Sequence, residues 1–309
     1  PLANNTAPID RNAFFQNWLE ADATAGPQRA YRLACRLSEQ MRPIGRTAAA
    51  HADWALAHTL FWRGRFAESR ALLAAIRSDA ITPEAGANAR LELLIPAQLS
   101  LALATLGEID AALAQAGLAL SWAQDQPEAM HLASACGYLS LLHCFLDAPA
   151  ATLEWSRRAR AAASKREQIS LIHSANLLEY WALSRLGQPT DEAAAQTALA
   201  ELRRIGRAQE ARAFSLYAQG LFHQAPIHAC TQLDAALDLN ASCGLHPWEA
   251  RLLHLKSQSL DAAGQLGEAS RFLHIAQETA QRQGARLFLD DITGIESRTH
   301  ASPHLEFAS

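Results

Sequence analysis

The feature that most constrains the fold is a glycine turn that recurs between two apolar, helix-like segments. Four such turns stand out along the chain, at Gly64, Gly107, Gly187 and Gly264. They are separated by 43, 80 and 77 residues, so the last two intervals are each about twice a period near 40. Weaker turn signals fill the gaps near Asp147 and Gln224. Self-similarity at this period is typical of a repeat protein whose units pack on their neighbours.

Each period predicts a pair of antiparallel helices. The second segments carry small and apolar residues at helical spacing. The 309 residues include no valine, a leading strand former, and 66 alanines, the best helix former. We therefore expect an all-α, right-handed superhelical solenoid of about seven helix pairs, with a cap over roughly residues 9–42 and a last helix beginning near Arg286. The clearest core stripes are Ile109, Ala112, Leu113, Ala116 and Leu120, and Leu266, Ala269, Leu273, Ala276 and Ala280.

The repeat resembles the tetratricopeptide-repeat family over most of residues 46–284. The segments GEIDAALAQAGLAL (107–120) and GQLGEASRFLHIA (264–276) share the turn glycine of that family, its small residue five positions later and its second-helix alanine. The period is longer than the 34 residues of the family, and the first-helix aromatic and glycine of the family are mostly absent. Longer periods are similar to the divergent repeats of bacterial signal-transduction ATPases and diguanylate cyclases. This resemblance implies sensing or scaffolding.

Bulk composition argues against two classes of partner. The net charge is −4 and the pI is near 6.3, which is not typical of a nucleic-acid-binding protein. No apolar run reaches the roughly 18 residues that a membrane span requires, so no membrane partner is expected. The five cysteines are odd in number and show no CxxC spacing, as expected of free thiols in a reducing cytoplasm.

The sequence contains no recognisable catalytic motif. It has no GxGxxG or GxxxxGK phosphate loop, no HExxH and no GxSxG. His223, His228 and Cys230 lie within eight residues, but no fourth ligand accompanies them, and no metal site is predicted. We therefore expect a protein that is not an enzyme and that carries no cofactor, no catalytic residues and no metal.

A ligand-binding groove is the strongest functional prediction. In tetratricopeptide arrays the first helix of each pair lines a concave surface, and the family register places aromatic, arginine and histidine side chains on it. Such residues are typical of recognition surfaces for a protein segment, a peptide or a small molecule. The alternative is that the large aromatics fill gaps between alanine-rich helices. The predicted groove residues are His51, Trp54, His58, Trp62, Tyr138, Trp181, Arg185, Arg251 and His254.

The end of the chain differs from the repeats. The segment DDITGIESR (290–298) resembles the opening of a diguanylate cyclase domain, although the Gly-Gly-Asp-Glu-Phe stretch of that family is absent. The matching positions are Asp290, Ile292, Thr293, Gly294, Ile295, Ser297 and Arg298.

The resemblance of this tail implies a division of the chain into a repeat domain, residues 1–284, and a connector with the truncated start of an output domain, residues 285–309. The repeats would then regulate that output domain. We expect an extended or disordered tail and weak homodimerisation through the C-terminal third. The alternatives are a free-standing interaction scaffold and the sensor region of a signal-transduction ATPase or transcriptional regulator.

Overall fold

The described residues, 11–43, 45–76, 91–163 and 168–294 of this computed structural model, are helical and contain no strand. The expected all-α repeat fold is therefore confirmed. The helices are α1 (Arg11–Ala25), α2 (Pro27–Met41), α3 (Arg46–Trp62), α4 (Phe66–Ala75), α5 (Leu91–Thr105), α6 (Ile109–Gln124), α7 (Ala129–Phe145), α8 (Pro149–Ala162), α9 (Ile169–Arg185), α10 (Glu192–Ile205), α11 (Arg207–Gln224), α12 (Cys230–Cys243), α13 (Glu249–Ala262), α14 (Leu266–Gln283) and α15 (Arg286–Thr293), with a 3₁₀ turn at Pro226–His228.

Consecutive helices form seven pairs, from repeat 1 (α1 and α2) to repeat 7 (α13 and α14). The odd-numbered helices also pack on one another and form the inner layer of a solenoid. Gly64 and Gly107 have φ angles of 73° and 85°, which explains why these turns carry glycine. In the first pair, Gly26, with φ of 81°, is the single residue between α1 and α2.

The predicted core stripes of the second helices are largely confirmed. The small residues of both stripes and Leu120 are buried, and the other larger residues are partly buried against the core. Leu266 is the exception, since it is 65% exposed at the start of α14.

The solenoid closes on itself, which the repeat pattern did not predict. The inner helix α1 packs against the inner helix α11, five repeats later. The backbone N–H of His246, in the loop after α12, donates to the carbonyl of Trp62 at the end of α3 over 2.9 Å. One repeat further along, the turn at Gly107 lies against Arg286. The edge that carries the turns of repeats 1–3 therefore rests on the C-terminal repeats.

Aromatic side chains fill the space where the C-terminal repeats cross the ends of the inner helices. The Phe145 ring at the end of α7 stacks on Trp248 with centroids 3.9 Å apart and 12° between planes. Phe61 of α3 and Phe288 of α15 each approach Phe145 to 5.9 Å. These rings come from repeats 2, 4 and 7 and from α15, so they join distant parts of the chain in one core.

The C-terminal helix corrects one expectation. Residues 290–293 were expected to be extended, but they form the last turn of α15, because Phe288 and Ile292 lie four residues apart and both face the core. Thr293 ends the helix and Gly294 caps it with φ of 66°. Positions 295–298 of the cyclase-like motif lie outside the described residues, and the division into two domains stays a prediction.

Candidate ligand-binding site

The predicted groove residues fall into two separate groups. The first group comes from the N-terminal repeats, and its two tryptophans, Trp54 and Trp62, are buried. They are covered because Trp18 of α1 packs against Trp54 and Arg212 of α11 lies over the Trp62 ring, so they are closed to a ligand in this conformation. His51 lies at the edge of this group, half-buried, with its Nδ1 2.9 Å from the carbonyl of Thr47.

Beside these tryptophans lies a cluster of polar side chains that we call the buried polar centre: Asp22, His58, Gln98, Tyr138 and Arg212. Arg212 donates to the Asp22 carboxylate over 2.8 Å, and His58 Nε2 is 3.6 Å from the same oxygen. His58 Nδ1 lies 3.0 Å from Gln98 Oε1. The guanidinium of Arg212 and the His58 ring hold the pKa of the Asp22 carboxyl well below its usual range, against the opposing effect of burial. Burial raises the pKa of Tyr138 to about 12.

The second group of predicted residues meets at the other end of the inner helices. Trp181 and Arg185 of α9 and Arg251 and His254 of α13 lie close to one another, although they are up to 73 positions apart in the sequence. The structure adds three side chains that the sequence did not predict as site residues: Asp147, His223 and Asp291. We call these seven residues the charged rim, since they surround the ends of α7, α9 and α11 where α13 and α15 cross them.

Asp147 is the most unusual residue of the charged rim. It is the only non-glycine residue with positive φ among the described residues, at 54°, and it stands where four other repeats have their turn glycine. An aspartate in the left-handed region costs on the order of 1 kcal/mol relative to glycine. Its carboxylate accepts two hydrogen bonds from Arg185, at 3.1 and 2.8 Å. Aligning the turns of the repeats would have revealed this position in the sequence.

Opposite charges set the electrostatics of the charged rim. Asp291 lies 3.7 Å from His254 Nδ1. The adjacent His254 imidazole and the nearby guanidinium of Arg251 lower the pKa of Asp291, although burial opposes the shift. The hydrogen bonds to Asp147 raise the pKa of Arg185. Burial, helped by Arg185, lowers the pKa of His223 to about 4, so this imidazole is neutral near pH 7.

Only part of the charged rim is accessible. The side chains of Arg185, Asp147 and Asp291 are 41%, 37% and 53% exposed. Arg251 is buried and donates to the carbonyls of Cys144 and Phe145, so it caps the C-terminus of α7. Trp181 is buried as well. The charged groups of the rim that are most exposed to a ligand are therefore one guanidinium and two carboxylates.

Exposed apolar residues accompany these charges. Leu186, Ile227 and Leu266 are 37%, 56% and 65% exposed, and each lies at the turn within its own repeat, in repeats 5, 6 and 7. They share the edge that carries Asp147 in repeat 4. In repeats 1–3 the same edge is covered by the C-terminal repeats of the chain. Exposed apolar residues beside polar groups are typical of protein interaction sites.

Cys136 and Cys144 have buried thiols. Burial raises the pKa of Cys136 to about 11 and raises that of Cys144 further, so both thiols stay protonated near neutral pH. No group of three or more His, Cys, Asp or Glu side chains is arranged for a metal ion in the part of the chain that the structure describes. No helix in that part is long and apolar enough to cross a membrane.

Comparisons with known proteins bear on the fold. No protein-family model and no curated protein sequence matches this chain. A solved structure, that of a Rap protein complexed with Competence and Sporulation Factor, is similar with a TM-score of 0.62 and 9% sequence identity. The similarity covers 92% of this chain and 80% of the Rap protein. At this identity the likeness supports the helical repeat fold.

Proposed function

We propose that this protein is a non-catalytic scaffold that binds a protein segment or peptide at the charged rim. The observation that carries the proposal is Asp147. A carboxylate there costs backbone energy that glycine would avoid, and its accessible ion pair with Arg185 contributes only about 0–1 kcal/mol to stability. Stability alone therefore does not account for this residue. The bound factor of the Rap protein, whose fold is similar, supports a binding role for this fold.

The position of α15 suggests how ligand binding at the charged rim would affect a following domain. Asp291 belongs to the charged rim, and Phe288 on the same helix is buried against Phe145. A ligand that pairs with Arg185 or Asp291 would therefore act directly on the last described helix. This supports the finer proposal that the repeats regulate a following output domain, similar to a diguanylate cyclase. The alternative, a free-standing scaffold, requires only the binding step.

Selection of peptides on the intact protein tests the binding role. A phage-displayed random peptide library would be selected on the wild-type protein, and the affinities of the recovered peptides measured by calorimetry. Asp147→Asn keeps a residue that tolerates the left-handed backbone and removes the charge, and Arg185→Gln removes the other. We expect each substitution to weaken binding by about tenfold or more, the loss of one charged contact, with thermal stability nearly unchanged.

A matched control is available on the outer layer. Arg204 is 77% exposed on α10 and pairs with Glu201 of the same helix, much as Arg185 pairs with Asp147. Arg204→Gln should leave the affinity of the same peptides unchanged. Peptides that bind all four proteins equally well would place the binding surface elsewhere and refute the proposal.

A further inference from the structure

The first inner helix presents a specific pair of side chains to the buried polar centre. Trp18 and Asp22 are four residues apart on α1, so they lie on one face. The Trp18 ring meets Trp54 at 5.5 Å and His58 at 5.6 Å, both edge to face. The Asp22 carboxylate binds Arg212 and approaches His58. An aromatic ring and a carboxylate thus fill a surface built by other helices.

Not all hydrogen-bond donors of the surface that receives α1 are paired. Its donors and rings come from α3, α5, α7 and α11, and the Arg212 guanidinium is held 4.1 Å over the Trp62 ring. Gln98 Nε2 and Arg212 Nε of this surface, and Asp22 Oδ1 of α1, are buried and have no hydrogen-bond partner among the described residues. Unsatisfied buried groups of this kind are rare in native proteins and call for an explanation. The surface offers more hydrogen bonds to an acidic ligand than α1 uses.

Few of the α1 side chains that the structure describes are buried. Among residues 17–24, whose side chains are described, only Trp18, Ala21 and Asp22 are buried, whereas α3 buries ten residues. A buried ion pair adds little net stability, because both charges lose their water. Among these described α1 side chains, Trp18 is the largest that is buried.

We propose that this inner surface is a binding site for a helical segment that carries an aromatic residue and, four positions later, a carboxylate, and that α1 is its intramolecular occupant. Such a partner would be an acidic amphipathic helix of another protein. It replaces α1 by matching Trp18 and Asp22 and by satisfying the open donors of Gln98 and Arg212. This site is distinct from the charged rim, and the proposal does not depend on binding there.

A peptide supplied in trans tests this assignment. The acceptor is the full-length protein with Trp18→Ala and Asp22→Ala, which weakens its own α1. The probe is a synthetic peptide with the sequence of α1, residues 11–25, and the control peptide carries Asp22→Asn. We expect the probe to bind the variant about tenfold more tightly than it binds the wild-type protein, where the native α1 competes, and about tenfold more tightly than the control peptide binds the variant. Binding should increase hydrogen-exchange protection in α3 and α11.

Two results would overturn the proposal. One is a variant that retains its helical circular dichroism but does not bind the probe, or binds it without added protection in α3 and α11. The second applies to the wild-type protein and is decisive even where the variant does not fold. In the wild-type protein, backbone amides of α1 should exchange at least about tenfold faster than those of α3 and α11, because α1 opens locally. Equal exchange in the three helices would mean that α1 is a permanent part of the core.

Discussion

Trp248→Ala should lower the free energy of unfolding by about 3–5 kcal/mol, the usual cost of removing a large aromatic side chain from a core. Trp248 is 2% exposed and stacks on Phe145, which lies three repeats earlier in the chain. Removal of the indole leaves a cavity beside Phe145 and Phe288. The surrounding helices α7, α13 and α15 cannot move far enough to fill it. Urea denaturation followed by circular dichroism measures the change.

The regions in which Trp248→Ala raises hydrogen exchange also test whether the solenoid is closed. Because the solenoid closes on itself, hydrogen exchange should rise at the C-terminal end of α7 as well as in α13. In an open solenoid the damage would stay in repeats 6 and 7, since each unit contacts only its neighbours. Leu266→Ala, on the exposed edge, serves as the control and should change stability by no more than about 0.5 kcal/mol. A Trp248→Ala variant as stable as this control would contradict the filled core.

Arg251→Ala should also be severely destabilising, by about 3 kcal/mol or more. The buried guanidinium donates to the carbonyls of Cys144 and Phe145 at 2.8 and 3.1 Å. Hydrogen bonds from a charged donor contribute about 1.5–3 kcal/mol each. The Phe145 carbonyl would lose this donor outright, whereas the Cys144 carbonyl would keep the backbone N–H of Asp147 at 3.3 Å. Thermal and urea denaturation of the variant measure the loss.

A conservative substitution separates charge from geometry at this position. Arg251→Lys keeps the positive charge at the C-terminus of α7, but an ammonium does not reproduce the planar fork that reaches both carbonyls. We expect an intermediate loss of stability. If Arg251→Ala instead kept full stability and abolished peptide binding, Arg251 would be a ligand-binding residue, as the sequence predicted, and its structural assignment would be wrong.

The local fold was predictable from the sequence because its signals are local. Gly64, Gly107, Gly187 and Gly264 mark turns that require or favour a left-handed backbone, and the small residues between them mark packed helix faces. The closure of the solenoid has no such signal. It depends on contacts such as that between Trp62 and His246, which no period of about 40 residues encodes. The helix pairs could therefore be predicted, and their return onto the first repeats could not.

The surroundings of the predicted groove residues also depend on contacts between distant parts of the chain. Trp54 and Trp62 have the spacing of a groove and the hydrophobicity of a core, and only the packing of α1 and α11 decides between them. Arg185 and His254 lie on inner helices, but their partners Asp147 and Asp291 come from a turn and from α15. A carboxylate in a turn attracts attention only when the turns are aligned and it replaces a glycine.

An engineered disulfide tests the closed solenoid most directly. Gln28, at the start of α2, and Gly244, after α12, are 216 positions apart, yet a Cβ built at Gly244 lies 3.6 Å from that of Gln28. Disulfides need a Cβ separation of about 3.5–4.5 Å. The variant combines Gln28→Cys and Gly244→Cys with Cys35→Ser and Cys230→Ser, and a control pairs Gln28→Cys with Leu118→Cys. After mild oxidation, mass spectrometry should find the 28–244 cross-link in most of the monomer and no cross-link in the control. A monomer without the 28–244 cross-link would contradict the closed solenoid.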